Sequence, residues 1–387
     1  MNSFVFQNTT KVYFGENQLH NLGAELSIYG KKVLLTYGGG SIKKSGLYDK
    51  VVAEIKKAGL ELFEYSGIAP NPRVESVNEA GALCKKHDID VILAVGGGSV
   101  IDCSKFIASA RYYDGDAWDL STGVAKTDKC IPLITVLTLS ATGSEMNAGG
   151  VISNLKTHDK LGNNNPLMQP KVSFLDPTNT YTVDKYQTAC GSTDILSHLV
   201  EVYFAYEQDL MMLDRITEGL FKTVIENAPI ALKDPTNYHA RANLMWASSW
   251  AINGLIRGGK QHSWTCHPIE HQLSAYYDIS HGLGLAILMP RWMEYVLDEN
   301  NVDKFVQFGT NVFDIDKTLP KMEIAKKGIK MFADFLFNTL GLTSKLSELK
   351  IDSTHFEDMA KKCELRTLKG FKSLTTADVI KIYEMCL

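Results

Sequence analysis

Two stretches of this chain share one form: an apolar run, three glycines, then a serine. Asp90–Asp102 reads DVILAVGGGSVID, and Lys32–Lys44 reads KVLLTYGGGSIKK. In the first, a buried strand passes through glycine straight into a helix at Ser99–Ala110, and few folds accommodate that. Around these stretches the same alternation continues. Leu47–Ala58 reads as an amphipathic helix, Glu61–Tyr65 as a strand, Val74–His87 as a helix and Leu133–Leu137 as another strand-like run. Short buried strands alternating with helices imply a parallel sheet covered on both faces.

The pattern changes near Asp176–Asp184, and helical periodicity dominates beyond it, with long candidates at 190–206, 209–227, 239–255 and 321–340. The expected fold is therefore an α/β unit over 1–182, with a Rossmann-like parallel sheet, followed by an all-helical unit over 183–387. Neither an internal repeat nor a low-complexity segment interrupts it. Hydrophobic residues make up 45% and charged residues 22% of the 387, ample for a sizeable core.

The net charge of -4, with both signs dispersed, argues against a nucleic-acid partner. No apolar run is long enough to span a membrane, and the N-terminus MNSFVFQNTTKVYFG lacks a signal-peptide pattern, so a cytoplasmic protein is expected. The seven cysteines are scattered and form no CxxC pair, which points to small buried side chains rather than disulfides or a thiolate zinc knuckle.

The first glycine run has the chemistry of a phosphate site. Residues without Cβ let the backbone approach a diphosphate, and the N–H groups of the following helix attract negative charge. It is not GxGxxG, and a ligand-free strand-to-helix turn would read the same way. In the second run, Gly38, Gly39 and Gly40 leave space, Ser41 offers a hydroxyl, and Lys43 and Lys44 offer charge. No acidic residue follows that strand until Asp49. An acid near this strand end takes a ribose 2′-OH, whereas a cation favours a 2′-phosphate, so the run reads as NADP(H) preference, with NAD(H) as the alternative.

A second constellation points to a metal. Asp194 and His198 are four residues apart on a helical pattern and share a face. Gln261–Gly282 reads QHSWTCHPIEHQLSAYYDISHG and holds His262, His267, His271 and His281, four of the ten histidines in the chain. His267 and His271 share a helical face, His281 precedes glycine at a loop or helix start, and His262 is the weakest member. Three imidazoles with one carboxylate suit Fe²⁺ or Zn²⁺, and also Co²⁺ or Ni²⁺. Four protein ligands usually close a structural zinc site, so a reactive site here requires the ion to accept a fifth, oxygen ligand. Trp264, Tyr276 and Tyr277 could line a pocket nearby, but core packing is the favoured reading of them.

With these motifs in order, the chain resembles the iron-containing (group III) alcohol dehydrogenases, and within them the NADPH-dependent butanol dehydrogenase subgroup. The resemblance is carried by YGGGSIK at 37–43, PNP at 70–72, VGGGSVID at 95–102, TLSATGSEMN at 138–147, the Asp194/His198 pair and the 267/271/281 histidines. It implies a dehydroquinate synthase-like architecture, with a dinucleotide-binding first unit and a helical unit for metal and substrate. It also implies that Asp194, His198, His267 and His281 are the metal ligands. Gly97, Gly98 and Ser99 match the pyrophosphate loop, with Asp102 just inside its helix. Thr138, Leu139 and Thr142 match cofactor contacts, Asn147 and Lys160 lie toward the nicotinamide, and Asn71 toward the adenosine ribose. A homodimer is expected from the same resemblance.

The expected reaction is hydride transfer between NADP(H) and a small, linear alcohol or aldehyde such as butanol or butanal. His271 is the expected proton relay, because it sits one turn from His267 and histidine titrates near ~6.5. An NAD-linked, glycerol-type polyol dehydrogenase on the same fold is the alternative. A metallohydrolase is a more distant one, since it would need neither glycine loop.

Overall fold

In the computed structural model the structure describes residues 2–206, 210–260, 264–364 and 370–387. It divides into two compact units, one of Gln7–Asp184 with Pro235–Asn253, the other of Met1–Phe6, Lys185–Asp234 and Gly254–Leu387.

The first unit is built on strands β1 (Lys11–Phe14), β2 (Lys32–Thr36), β3 (Glu61–Tyr65), β4 (Val91–Gly96), β5 (Leu133–Leu137) and, after a hairpin of β6 (Gly149–Asn154) and β7 (Asp159–Asn164), β8 (Val172–Leu175). Its helices are α1 (Leu22–Ser27), α2 (Ser41–Lys44), α3 (Leu47–Lys57), α4 (Val74–His87), α5 (Gly98–Ala110) and α6 (Trp118–Thr122). The main sheet runs β1-β8-β5-β4-β2-β3, and every pairing in it is parallel. Successive strand residues point to opposite faces, and both faces are apolar. Val33, Leu35, Leu93 and Val136 pack in one cluster with α1 and α3, while Leu34, Ile92, Leu133 and Leu137 pack in another with α4 and α5. Charged residues concentrate on the two edge strands, at Lys11, Glu61 and Glu64, and the inner strands carry one, Lys32 at the start of β2.

The expected strands and helices of the first half are present within one or two residues of the boundaries read from the sequence. Four strands were not foreseen. β1 and β8 have only four residues each, too short for a periodicity to show. In β6 and β7, GGVISN and DKLGNN carry too much glycine and polar side chain to resemble strands; their pairing with each other supplies the ladder.

The connections reverse direction between β2 and β4: β2 leads through α3 outward to β3, and β4 leads through α5 outward to β5 on the other side. In open parallel sheets the crevice at such a switch point, beyond the carboxyl ends of the strands, is where ligands bind. The loops following β2, β4 and β5 all leave from that end.

The second unit is helical: α7 (Lys185–Tyr203), α8 (Met211–Lys233), α10 (Cys266–Tyr277), α11 (His281–Val296), α12 (Val302–Val312), α13 (Lys321–Asp334), α14 (Phe356–Glu364) and α15 (Thr376–Met385). The intervening α9 (Tyr238–Ile252) belongs to the first unit, where it packs on the 3₁₀ turns at Ser144–Met146 and Pro177–Thr180. α7 begins five residues before the expected Cys190, and α8 runs on to Lys233 through Pro229. Asp209, at the start of one expected helix, lies outside the described residues. No helix among the described residues is long and apolar enough to cross a membrane.

Candidate active site

The glycines of the β4–α5 turn are imposed by packing. A Cβ on Gly96 would stand 2.6 Å from Val100 Cγ2, and one on Gly97 would stand 3.1 Å from Leu139 Cβ; one on Gly98 would overlap Thr142. Leu139 and Thr142, in the loop after β5, thus lie directly on the turn, and the Thr138 N–H donates to the Gly96 carbonyl at 3.1 Å. Gly97 is the N-cap residue of α5, whose first turn carries no acidic side chain. Its leading N–H groups have no intrahelical acceptor, and Gly97 and Ser99 are partly open to solvent, which suits an anion.

Asp102 occupies a different position. It is half-buried, accepting from Ser144 Oγ at 2.5 Å and from the Val151 N–H at 2.9 Å, and desolvation pushes its carboxyl above the usual range. Lys105, one turn on, is fully buried and donates to Ser144 Oγ at 2.7 Å and Asn147 Oδ1 at 3.0 Å. Desolvation lowers its amine to about 8. The two residues tie the loop bearing Asn147 to α5. Lys160 Nζ donates to Asn71 Oδ1 at 2.9 Å, so two further cofactor candidates meet directly. Asn71 has a left-handed backbone with φ 50.

In the second glycine run a Cβ on Gly38 would stand 3.2 Å from the Ile68 carbonyl oxygen, but the next two positions are open. No atom lies within 4 Å of a Cβ placed on Gly39 or Gly40, and Gly40 needs its glycine for φ 105. Ser41 starts the one-turn α2. Lys43 lies over two rings, its Nζ 5.1 Å from the centroid of Tyr37 and 4.6 Å from that of Tyr48. Both tyrosine hydroxyls donate to Glu64.

In the helical unit, Asp194 and His198 lie on one face of α7, as their spacing requires. His267 is the second residue of α10, and His281 is the first of α11. Gly282 and Gly284 make the approach of α11 possible. A Cβ on Gly282 would overlap the Cys190 carbonyl of α7, and one on Gly284 would stand 2.7 Å from Glu270 Cγ. As a result Asp194 Oδ1 lies 3.7 Å from His198 Nε2, 3.9 Å from His267 Nε2 and 3.6 Å from His281 Nε2. Four donors held about 2.1 Å from a tetrahedral ion stand roughly 3.4 Å apart, so these spacings fit a transition-metal centre. The donors of Asp194, His267 and His281 all fall within 4.8 Å of one another. Burial, with His267 and His281 alongside, pushes the His198 imidazole well below its usual range and favours its neutral form, the one able to bind a metal.

Two carboxylates support the histidines from behind, and neither was singled out in the sequence. Glu201 Oε1 is 3.1 Å from His267 Nδ1, and Glu270 meets His281 Nδ1. Such partners fix the tautomer and aim Nε2 at the ion. Glu201 could have been found from spacing, because Asp194, His198 and Glu201 recur on one helical face. Glu270 carried no comparable signal.

His271 is half-buried beside the cluster, its ring centroid 5.4 Å from that of His281 and 6.2 Å from that of His267. Trp264 packs edge-on against His198 and His267. Tyr276 and Tyr277 pack on His355 instead. His262 lies outside the described residues.

The sequence profile of the iron-containing alcohol dehydrogenases matches residues 9–177, and that of the C-terminal region of the Fe-containing alcohol dehydrogenase family matches residues 188–387. The NADH-dependent butanol dehydrogenase A of Clostridium acetobutylicum is 47% identical over 387 residues, covering 99% of each chain. The NADPH-dependent aldehyde reductase YqhD of Escherichia coli is 38% identical over 390 residues, again covering 99% of each. The crystal structure of the NADH-dependent butanol dehydrogenase A of Thermotoga maritima superposes with a TM-score of 0.95 at 38% identity, covering 100% of this chain and 99% of that one.

Proposed function

The chain belongs to the iron-containing alcohol dehydrogenase family, and on that premise we propose that it interconverts small linear alcohols and aldehydes, butanol and butanal among them, by hydride exchange with a nicotinamide dinucleotide. The observation that carries this reading is the grouping of Asp194 Oδ1 with three imidazole Nε2 atoms at 3.6–3.9 Å. These residues would hold one divalent ion, Fe²⁺ or Zn²⁺. When bound, the ion supplies Lewis-acid stabilisation of charge developing on the substrate oxygen.

The protein's own residues do the remaining work. Glu201 and Glu270 keep Nδ1 of His267 and His281 protonated, leaving Nε2 free to ligate. Trp264 covers His198 and His267 and limits water there. His271 lies close enough to the cluster to deliver a proton to the substrate oxygen, the role its position one turn from His267 suggests. At the carboxyl end of the sheet, the N-terminus of α5 receives the pyrophosphate on Gly97, Gly98 and Ser99, with Leu139 and Thr142 holding the turn in shape.

NADP(H) is the favoured cofactor because the loop at Gly39 and Gly40 is open and no acidic residue intrudes on it; the NADPH-dependent name of YqhD agrees. NAD(H) is the second reading, supported by the NADH-dependent butanol dehydrogenases and by Lys43, which is already engaged over Tyr37 and Tyr48.

An aldehyde panel run with NADPH and NADH, on protein of measured metal content, tests all of this. Chelation is expected to abolish turnover and added Fe²⁺ or Zn²⁺ to restore it. Full activity in verified metal-free protein would overturn the metal reading. His271→Ala is expected to change the pH–rate profile, and an unaltered profile would remove His271 from proton transfer.

A further inference from the structure

The three imidazoles are not supported alike. His267 and His281 each have a carboxylate at Nδ1. The Nδ1 of His198 is buried with no hydrogen-bond partner among the described residues. The two carboxylates differ as well. Glu270 accepts from Ser274 Oγ at 2.5 Å, a residue of its own helix. Glu201 reaches across from α7 and accepts from the backbone N–H of Thr265 and that of His267, both at 2.9 Å.

Thr265 is the N-cap residue of α10, and no capping hydrogen bond comes from its own side chain. N–H groups at a helix start lack intrahelical acceptors and favour negative charge. One carboxylate therefore caps α10 from a neighbouring helix and orients the ligand that α10 carries. The Glu201 side chain is only 2% exposed, so solvent cannot readily replace these bonds. Asp194 and His198 stand on the same helix face as Glu201, so α7 presents two ligands and the cap together.

We propose that Glu201 is the positioning residue that couples metal binding to the order of the α10 N-terminus, whereas Glu270 orients His281 alone. The proposal rests on the reading that Asp194, His198, His267 and His281 hold a divalent ion. With the ion pulling on Nε2, the His267 ring is fixed, its Nδ1–H is fixed on Glu201, and the same carboxylate holds the two backbone N–H groups. Without it, the ring can turn and the cap is shared with a mobile donor.

The test uses the full-length protein, stripped by chelation and titrated with Zn²⁺ against a chromophoric chelator. Amide hydrogen exchange over residues 264–277 is followed in both states. Glu201→Gln and Glu270→Gln are each expected to weaken zinc roughly 10- to 100-fold. Only Glu201→Gln is expected to speed exchange at the start of α10 in zinc-loaded protein, and Glu201→Asp, which keeps the charge, should recover part of both losses. Wild-type affinity and exchange in Glu201→Gln would overturn the proposal, as would equal exchange in the two glutamine variants. Should Glu201→Gln fail to fold, the wild-type protein still decides: no gain in protection at Thr265 and His267 on adding zinc overturns the coupling. If the wild-type protein takes up no stoichiometric zinc, or Asp194→Ala binds it equally well, the metal reading itself falls and this proposal falls with it.

Discussion

The two GGGS runs look interchangeable as text, yet their glycines are there for opposite reasons. Between Gly96 and Gly98 each missing Cβ is space already used by Val100, Leu139 or Thr142. At Gly39 and Gly40 the missing Cβ faces nothing within 4 Å, and only Gly40 is required by its φ of 105. The first turn is locked by the loop after β5, which suits it to the pyrophosphate common to both nicotinamide cofactors. The second is open, which suits it to the part of the cofactor that varies. A locked glycine should fail when a methyl is added; an open one without a positive φ, such as Gly39, should accept even a charged side chain.

The locked kind recurs in the helical unit, and there the largest effect is expected. A Cβ on Gly282 would overlap the backbone carbonyl of Cys190, which cannot rotate away, beside His281, a proposed metal ligand. Gly282→Ala is expected to force α11 from α7, at the overpacking cost of about 1–3 kcal/mol or more, and to lower both the melting temperature and metal content. A variant that keeps wild-type values of both would show that the helix contact is not rigid.

Gly98→Ala should come next. Its Cβ would overlap the Thr142 side chain rather than backbone, so a partner change can relieve it. The same range of about 1–3 kcal/mol, taken from dinucleotide binding, corresponds to roughly 5- to 150-fold in affinity. Adding Thr142→Gly should return part of it. Dinucleotide titration by fluorescence measures both, and no loss in the single variant would place Gly98 with the open glycines.

What the sequence made legible follows the same line between local and distant. The strand–glycine–helix run predicted β4, the turn and α5, since those residues are neighbours in the chain. Asp194 with His198, and His267 with His271, were legible from the helical repeat alone. That Leu139 and Thr142 lock the turn was not, because it depends on β5 lying beside β4 in the sheet. Glu270 could not be found for a similar reason: its role exists only once α11 brings His281 onto α10. Asp102 combines both: its place in the helix after the glycines was legible, but its hydrogen bonds from the Ser144 hydroxyl and the Val151 N–H come from segments distant in the chain.

At the open run, Gly39→Asp is expected to leave the melting temperature within about 0.5 kcal/mol of wild type in stability terms, since the new side chain meets no neighbour. It should raise the ratio of kcat/KM for NADH over NADPH by roughly ten-fold, because a carboxylate there accepts from the 2′-OH and repels a 2′-phosphate. A destabilised variant would show the run to be locked after all. A stable variant with an unchanged ratio would place the cofactor ribose elsewhere.

The smallest effect is the one that separates the two cofactor readings most directly. Lys43 is exposed, with its ammonium over the rings of Tyr37 and Tyr48, whose hydroxyls both serve Glu64. If it leaves those rings for a 2′-phosphate, Lys43→Met should lower kcat/KM for NADPH by at most roughly five-fold, the yield of an exposed ion pair, and leave NADH untouched. The loss should fade as ionic strength rises, because the charges are screened over about 8–10 Å at 0.1–0.15 M salt. An equal loss with both cofactors would mean that the lysine works through the tyrosines, shaping the loop rather than reading the phosphate. No loss with either would leave it a surface contact of Tyr37 and Tyr48, and the open loop would then favour NAD(H) as readily as NADP(H).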